Sequence, residues 1–238
     1  ANGMGEWLEL TMSDPRIAQY GPFKFSSQAD IYLNTRLAAD AVGATPMDRP
    51  EWGAVNPRNG EIYFSLTNNS AANRTPAKVN AANPRAYTDV DGKKTSGNPN
   101  GHIIRFKEIG SRSTSKAFAW DIFLFGAEED GGDANVSGLK ASNSFSSPDG
   151  LWFSKATGIC WIQTDDNAFT DETNCMLLAA IPGTVGDGGE FKVANRLTLG
   201  DTTFQGETRT FVGALLGESR LRRFLVAPKG AEVTGLAE

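Results

Sequence analysis

"PEWGAVNPRNGEIYFSLT", residues 50–67, decides the fold once it is laid without a gap over "PDGLWFSKATGICWIQTD", residues 148–165. Pro50 meets Pro148, Glu51 meets Asp149, Gly60 meets Gly158 and Tyr63 meets Trp161. Each segment reads as an acid, a strand, a glycine-containing turn and a second strand, so Trp52–Val55 and Ile62–Leu66 are expected to be buried strands. A weaker third occurrence opens around Glu232 in "AEVTGLAE". Between the first two copies there is room for two further strands and long insertions, and a strand pair that returns in this way is what a β-propeller blade needs. The competing architecture is a β-sandwich whose two hairpins are similar by coincidence.

Outward from this repeat the chain continues as all-β. "GHIIRFKE", "AFAWDIFLFG", "CMLLAAIPG", "RLTLG" and "RRFLVAP" are short apolar runs separated by Gly, Asn, Asp and Pro. One N-terminal helix is expected at about 27–42: Ser26 and Ser27 offer N-caps, apolar residues from Ala29 to Val42 recur at helical spacing, and Gly43 stops the run. The expected boundaries are a blade at about 47–126, a second at about 145–200, and the start of a further blade at about 221–238. Two stretches, 71–100 and "GAEEDGGDANVSG", read as long loop insertions, which in a compact domain are usually functional or mobile.

A net charge of -5 argues against a nucleic-acid partner, which calls for a basic face. No apolar run approaches the roughly 18 residues of a membrane span. The N-terminus "ANGMGEWLEL" lacks a basic and apolar leader, as an excised segment also would. If the strands around "WIQTDDNAFTDETN" pair symmetrically, Cys160 falls opposite a residue near Ala180, which leaves Cys175 too far away for a disulfide.

The chemistry follows from the repeat. First strands of propeller blades line the central channel, so Glu51, Asp149 and Glu232 would converge there. Crowded carboxylates repel one another unless cations neutralise them, and an all-oxygen donor set suits a hard ion, calcium first. Arg49 lies two residues before Glu51 and on the same face of an extended backbone. A guanidinium beside cations implies an anion between them, and its planar fork matches phosphate. Metal-assisted hydrolysis of phosphate esters is one expectation. The other is non-catalytic: a calcium-stabilised propeller serving as a structural or interaction module. Taken singly, Asp48, Arg49 and Glu51 would pass for a surface ion-pair cluster and Pro148-Asp149-Gly150 for a turn.

The remaining motifs are quiet. His102, the sole histidine, has no G-x-S-x-G elbow beside it and reads as a structural residue at a strand start. "GDGGEF" lacks the Lys-Ser/Thr of a phosphate loop, and "DVDGKK" and "DDNAFTDET" lack full calcium-loop spacing.

The stretches "AADAVGATPMDRPEW", "SLTNNS", "NPRAY" followed by "NGHIIRFKE", "SPDGLWF" with "WIQTD", and "RRFLVAPKGAEVTG" resemble the PhoX family of alkaline phosphatases, in that family's order. The resemblance implies a six-bladed propeller with calcium and iron ions at its centre, acting on small-molecule phosphate monoesters and exported by the twin-arginine route to the periplasm or beyond. It implies that Arg49 contacts phosphate, that Glu51 and Asp149 are metal ligands, and that Glu232 is a further one. Family members are more than twice as long, and their N-terminal half supplies a cysteine and more carboxylates. Neither Cys160 nor Cys175 matches that cysteine. The chain is therefore expected to be a C-terminal portion, about half of the propeller, with iron binding dependent on the other half. An open strand edge on such a segment is expected to promote self-association.

Overall fold

The computed structural model describes residues 1–89, 95–166, 169 and 172–236. In chain order its strands are β1 (Gly3–Glu6), β2 (Pro50–Val55), β3 (Ile62–Leu66), β4 (Asn69–Ser70), β5 (Tyr87–Thr88), β6 (Ser96–Asn98), β7 (His102–Glu108), β8 (Ala117–Phe125), β9 (Pro148–Phe153), β10 (Cys160–Thr164), β11 (Met176–Ala180), β12 (Gly189–Leu199), β13 (Thr202–Val212) and β14 (Leu221–Val226). The fold is mostly β, as expected.

Two antiparallel meanders organise it. One runs β2-β3-β7-β8 and is extended by β13 and β12, while β1 also pairs with β8; the other runs β9-β10-β11-β14. Neither sheet closes on itself. Between them lies an apolar core that includes Tyr63, Phe123, Phe145, Leu151, Phe153 and Leu178.

The hairpins at the start of the two meanders are copies in register as well as in sequence. Val55 pairs with Ile62 and Pro50 with Leu66, and Phe153 pairs with Cys160 and Pro148 with Thr164. Both ladders are interrupted at the same place, between Gly53 and Pro50 in one and between Leu151 and Pro148 in the other. Their turns close alike: the amides of Asn56 and Gly60 donate to Glu61 O and Asn56 O, and those of Ser154 and Gly158 to Ile159 O and Ser154 O. Gly60 (φ 72°) and Gly158 (φ 73°) occupy the left-handed region that each turn requires. Just before each first strand a non-glycine residue takes the same uncommon conformation, Arg49 at φ 50° and Ser147 at φ 49°.

Several expectations change. The single helix at 27–42 is two: α2 (Gln28–Leu33), capped by Ser27, and α3 (Thr35–Val42), ended by left-handed Gly43; a short α1 (Pro15–Ala18) precedes them. The break falls at Asn34, whose amide donates to Asp30 O, beside Thr35, whose hydroxyl donates to Ile31 O and Tyr32 O. Such side chains compete for helical carbonyls and locally unseat the ladder. The second meander is completed by β14, which pairs with β11, so 221–226 joins the sheet that begins at Pro148 instead of opening a new one. The β12-β13 hairpin, partly expected within 145–200, attaches to the first sheet at Val212 and Ile122.

β2 is exposed rather than buried, with Trp52 at 45% and Val55 at 57%. Alternation along a strand shows which residues share a face, not whether another element covers it. The 71–100 insertion, where described, is packed down. Arg85 is fully buried, donating to Gly126 O and Ala134 O and lying 4.7 Å over the Phe125 ring. Among the described residues no helix is long and apolar enough to cross a membrane.

Candidate active site

The strained residue before each meander aims the start of its first strand at the same place. Left-handed backbone at Arg49 turns the chain into β2, and Arg49 O accepts from Thr67 N at 3.2 Å. At the matched position Ser147 O accepts from Asp165 N at 3.3 Å. An antiparallel hairpin sets the residue after its second strand across from the residue before its first, so Asp165 falls opposite Ser147, and its carboxylate comes near that of Asp149 two residues on. The two sheets are tied together here, because the Ser65 hydroxyl donates to Asp149 O at 2.5 Å.

One carboxylate oxygen each from Asp149, Asp165 and Glu232 lies within 4.8 Å of the others. Glu51 is close enough to act on the same cluster. The Asp149 carboxyl is pushed above its ordinary range, first by partial burial and then by the negative charges of Glu51, Asp165 and Glu232, with Arg49 opposing. The structure thus brings together all four residues singled out in the sequence, Arg49, Glu51, Asp149 and Glu232. It adds Asp165, which the sequence offered only as the first residue of "DDNAFTDET", a stretch without calcium-loop spacing. Of the loop 165–173, residues 167, 168, 170 and 171 lie outside the described set, as do 90–94 of "DVDGKK".

This donor set fits a hard cation: it is all oxygen, clustered and mutually repulsive when empty. Arg49 stands at its rim, with a side chain that is 58% exposed. Its Nη1 donates to Asn68 Oδ1 at 2.7 Å, and its Nη2 lies 3.5 Å from Glu51 Oε1. Alongside is a cleft of about 280 Å³ lined by Arg49, Asn68, Ser70, Ser96, Pro99 and Ser147.

The other candidates take structural places. His102 is fully buried, its Nε2 donating to Ala82 O at 2.9 Å and its Nδ1 accepting from Asn98 at 3.1 Å. Burial pushes its pKa down to about 4, against the pull of Asp48, so it is neutral and carries no proton-transfer role here. Asp48 is buried too, with Arg74 at 2.7 Å and with amide donors from Asn69 and Asn98. Cys160 lies opposite Ala180, and both cysteines are free and buried, with thiols pushed up by burial.

The family model described as alkaline phosphatase PhoX matches residues 1–238. The chain belongs to the PhoX family. A solved structure, Pseudomonas fluorescens PhoX in complex with vanadate, a transition state analogue, matches this PhoX chain with a TM-score of 0.67 at 32% identity. The match covers 98% of this chain and 34% of that one, so the chain spans about a third of the length of that PhoX. No match was found among curated protein sequences.

Proposed function

We propose that this PhoX chain supplies part of the active site of a metal-dependent phosphatase that hydrolyses phosphate monoesters. The carrying observation is the convergence of Asp149, Asp165 and Glu232 beside Arg49. Calcium is the cation its oxygen donors favour. Glu51, Asp149, Asp165 and Glu232 would hold it, and iron would draw on residues outside this chain. When bound, such cations supply Lewis acidity toward a phosphoryl oxygen.

The chain's own residues do the rest. Arg49 offers parallel N–H donors to phosphate oxygens at the rim of the acid cluster and neutralises charge that develops there. Glu51 lies beside it, 3.5 Å from Nη2, as a carboxylate shared between the arginine and the acid cluster. The cleft beside Arg49 accommodates the alcohol portion of a small ester. We read the two meanders as adjacent blades of a propeller whose first strands face the channel, and the enzyme as periplasmic or secreted. A purely stabilising calcium site would have no use for an exposed arginine at its edge, which is what favours catalysis over the structural module.

The test is hydrolysis of a generic phosphomonoester at alkaline pH by the metal-loaded protein, with and without chelator. Chelation, Glu51→Gln and Arg49→Ala are each expected to abolish most turnover. Full activity in all three would refute the reading.

A further inference from the structure

The two repeats carry the same side-chain hydrogen bond, and a third bond joins them into one chain. Arg49 and Ser147 stand at matched positions, as do Asn68 and Asp166. In the first repeat Arg49 Nη1 donates to Asn68 Oδ1 at 2.7 Å; in the second, Ser147 Oγ donates to Asp166 Oδ1 at 3.0 Å. Between them Asn68 Nδ2 donates to Ser147 Oγ at 3.3 Å. We infer that Asn68 is a positioning residue that aims the Arg49 guanidinium by tying it to the second repeat; this rests on the reading of Arg49 as the phosphate contact.

The polarity is forced from Arg49 to Ser147, whose hydroxyl also lies 3.2 Å from that of Ser146. Arginine has donors only, so Asn68 must turn its oxygen toward Arg49 and its NH2 toward Ser147. Ser147 then accepts from Asn68, and its own proton goes to the Asp166 carboxylate. Asp166 is anchored in turn, its Oδ2 accepting from Phe169 N at 2.7 Å. Ser147 is 1% exposed, so the far end of the chain is rigid while the Arg49 side chain is mostly in solvent. At 3.5 Å and partly exposed, the link to Glu51 is too long to orient a flexible side chain. Asn68 supplies the short contact. Asparagine is required there because it alone at this length accepts on one side and donates on the other. Aspartate would pair with Arg49 in competition with phosphate and could not donate to Ser147.

The experiment is a double-mutant cycle read by calorimetric titration of inorganic phosphate into the metal-loaded holoenzyme, comparing wild type, Asn68→Ala, Arg49→Ala and the double variant. Asn68→Ala is expected to weaken phosphate binding about ten-fold in the wild-type background and to add nothing in the Arg49→Ala background. No effect in wild type, or equal weakening in both backgrounds, would overturn the inference while leaving Arg49 as the phosphate contact. An Arg49→Ala enzyme that binds phosphate normally would overturn both. Should Asn68→Ala fail to fold, Ser147→Ala breaks the same joint from the other repeat and is read by the same criteria.

Discussion

Replacing Asp149 by asparagine should stabilise the metal-free protein and destabilise the metal-loaded one. The substitution keeps the shape of the side chain and removes one charge from a cluster whose oxygens lie within 4.8 Å. Each like-charge pair at that distance costs about 0.9 kcal/mol in bulk water and about 3.5 kcal/mol at an effective dielectric of 20. Asp165 and Glu232 are exposed, so screening favours the lower figure. Two pairs then amount to roughly 2 kcal/mol, and Tm should rise by about 4–8 °C in chelator for a chain of this size. Bound calcium reverses the sign, because it stabilises the native state by about 2.7 kcal/mol at a hundred times Kd and the variant has lost a ligand. The assay is a pair of thermal melts, one in chelator and one in millimolar calcium, for wild type and Asp149→Asn. Crossing of the two orders is the signature. A variant that melts lower in both conditions, or one indifferent to both, would refute the idea that the carboxylates are held against their own repulsion for a cation.

Other outcomes follow from the same coordinates. Because partial burial and then the neighbouring carboxylates raise the Asp149 pKa, its folded form holds a proton more tightly than the unfolded chain; acidification through that range should stabilise metal-free wild type, and Asp149→Asn should remove that gain, by melts at stepped pH. His102 works oppositely: with its pKa lowered from 6.5 to about 4, the unfolded chain takes up the proton first, so stability should fall as pH drops from 6.5 towards 4, and His102→Gln should flatten that segment. Arg105 is buried and bonded to Asp121 at 2.6 Å and to Asp187 at 2.7 Å, so Arg105→Ala should cost about 3–5 kcal/mol by urea denaturation, because buried Asp121 keeps the Gly186 amide but loses its counter-charge. Among the turn glycines, Gly60→Ala meets open space at φ 72° and should cost about 1 kcal/mol, whereas at Gly101 (φ 61°) an added Cβ would lie 2.0 Å from Thr67 O and should prevent folding, as read by far-ultraviolet circular dichroism.

Much of the site was legible because the chain states it twice. Gly60 and Gly158, Pro50 and Pro148, and Glu51 and Asp149 mark two hairpins with one register, and an antiparallel register fixes which residues face each other at the hairpin ends. Asp165 closes the aligned stretch, and Asn68 and Asp166 lie one step beyond it, so the same alignment carries all three. Not so the left-handed backbone shared by Arg49 and Ser147, which has no signature in arginine or serine.

Sequence alone determined the all-β class, the paired hairpins, the caps at Ser27 and Gly43, and the types of side chain available to a cation and an anion. These are local properties: periodicity, turn chemistry and the donor atoms a residue carries. The tertiary structure decided that β14 closes the second meander, that β12 and β13 attach to the first, that Trp52 faces solvent, and that Glu232 reaches Asp149 across more than eighty positions of chain. Those outcomes depend on which apolar faces find each other, a competition among long-range contacts that no short stretch of residues encodes.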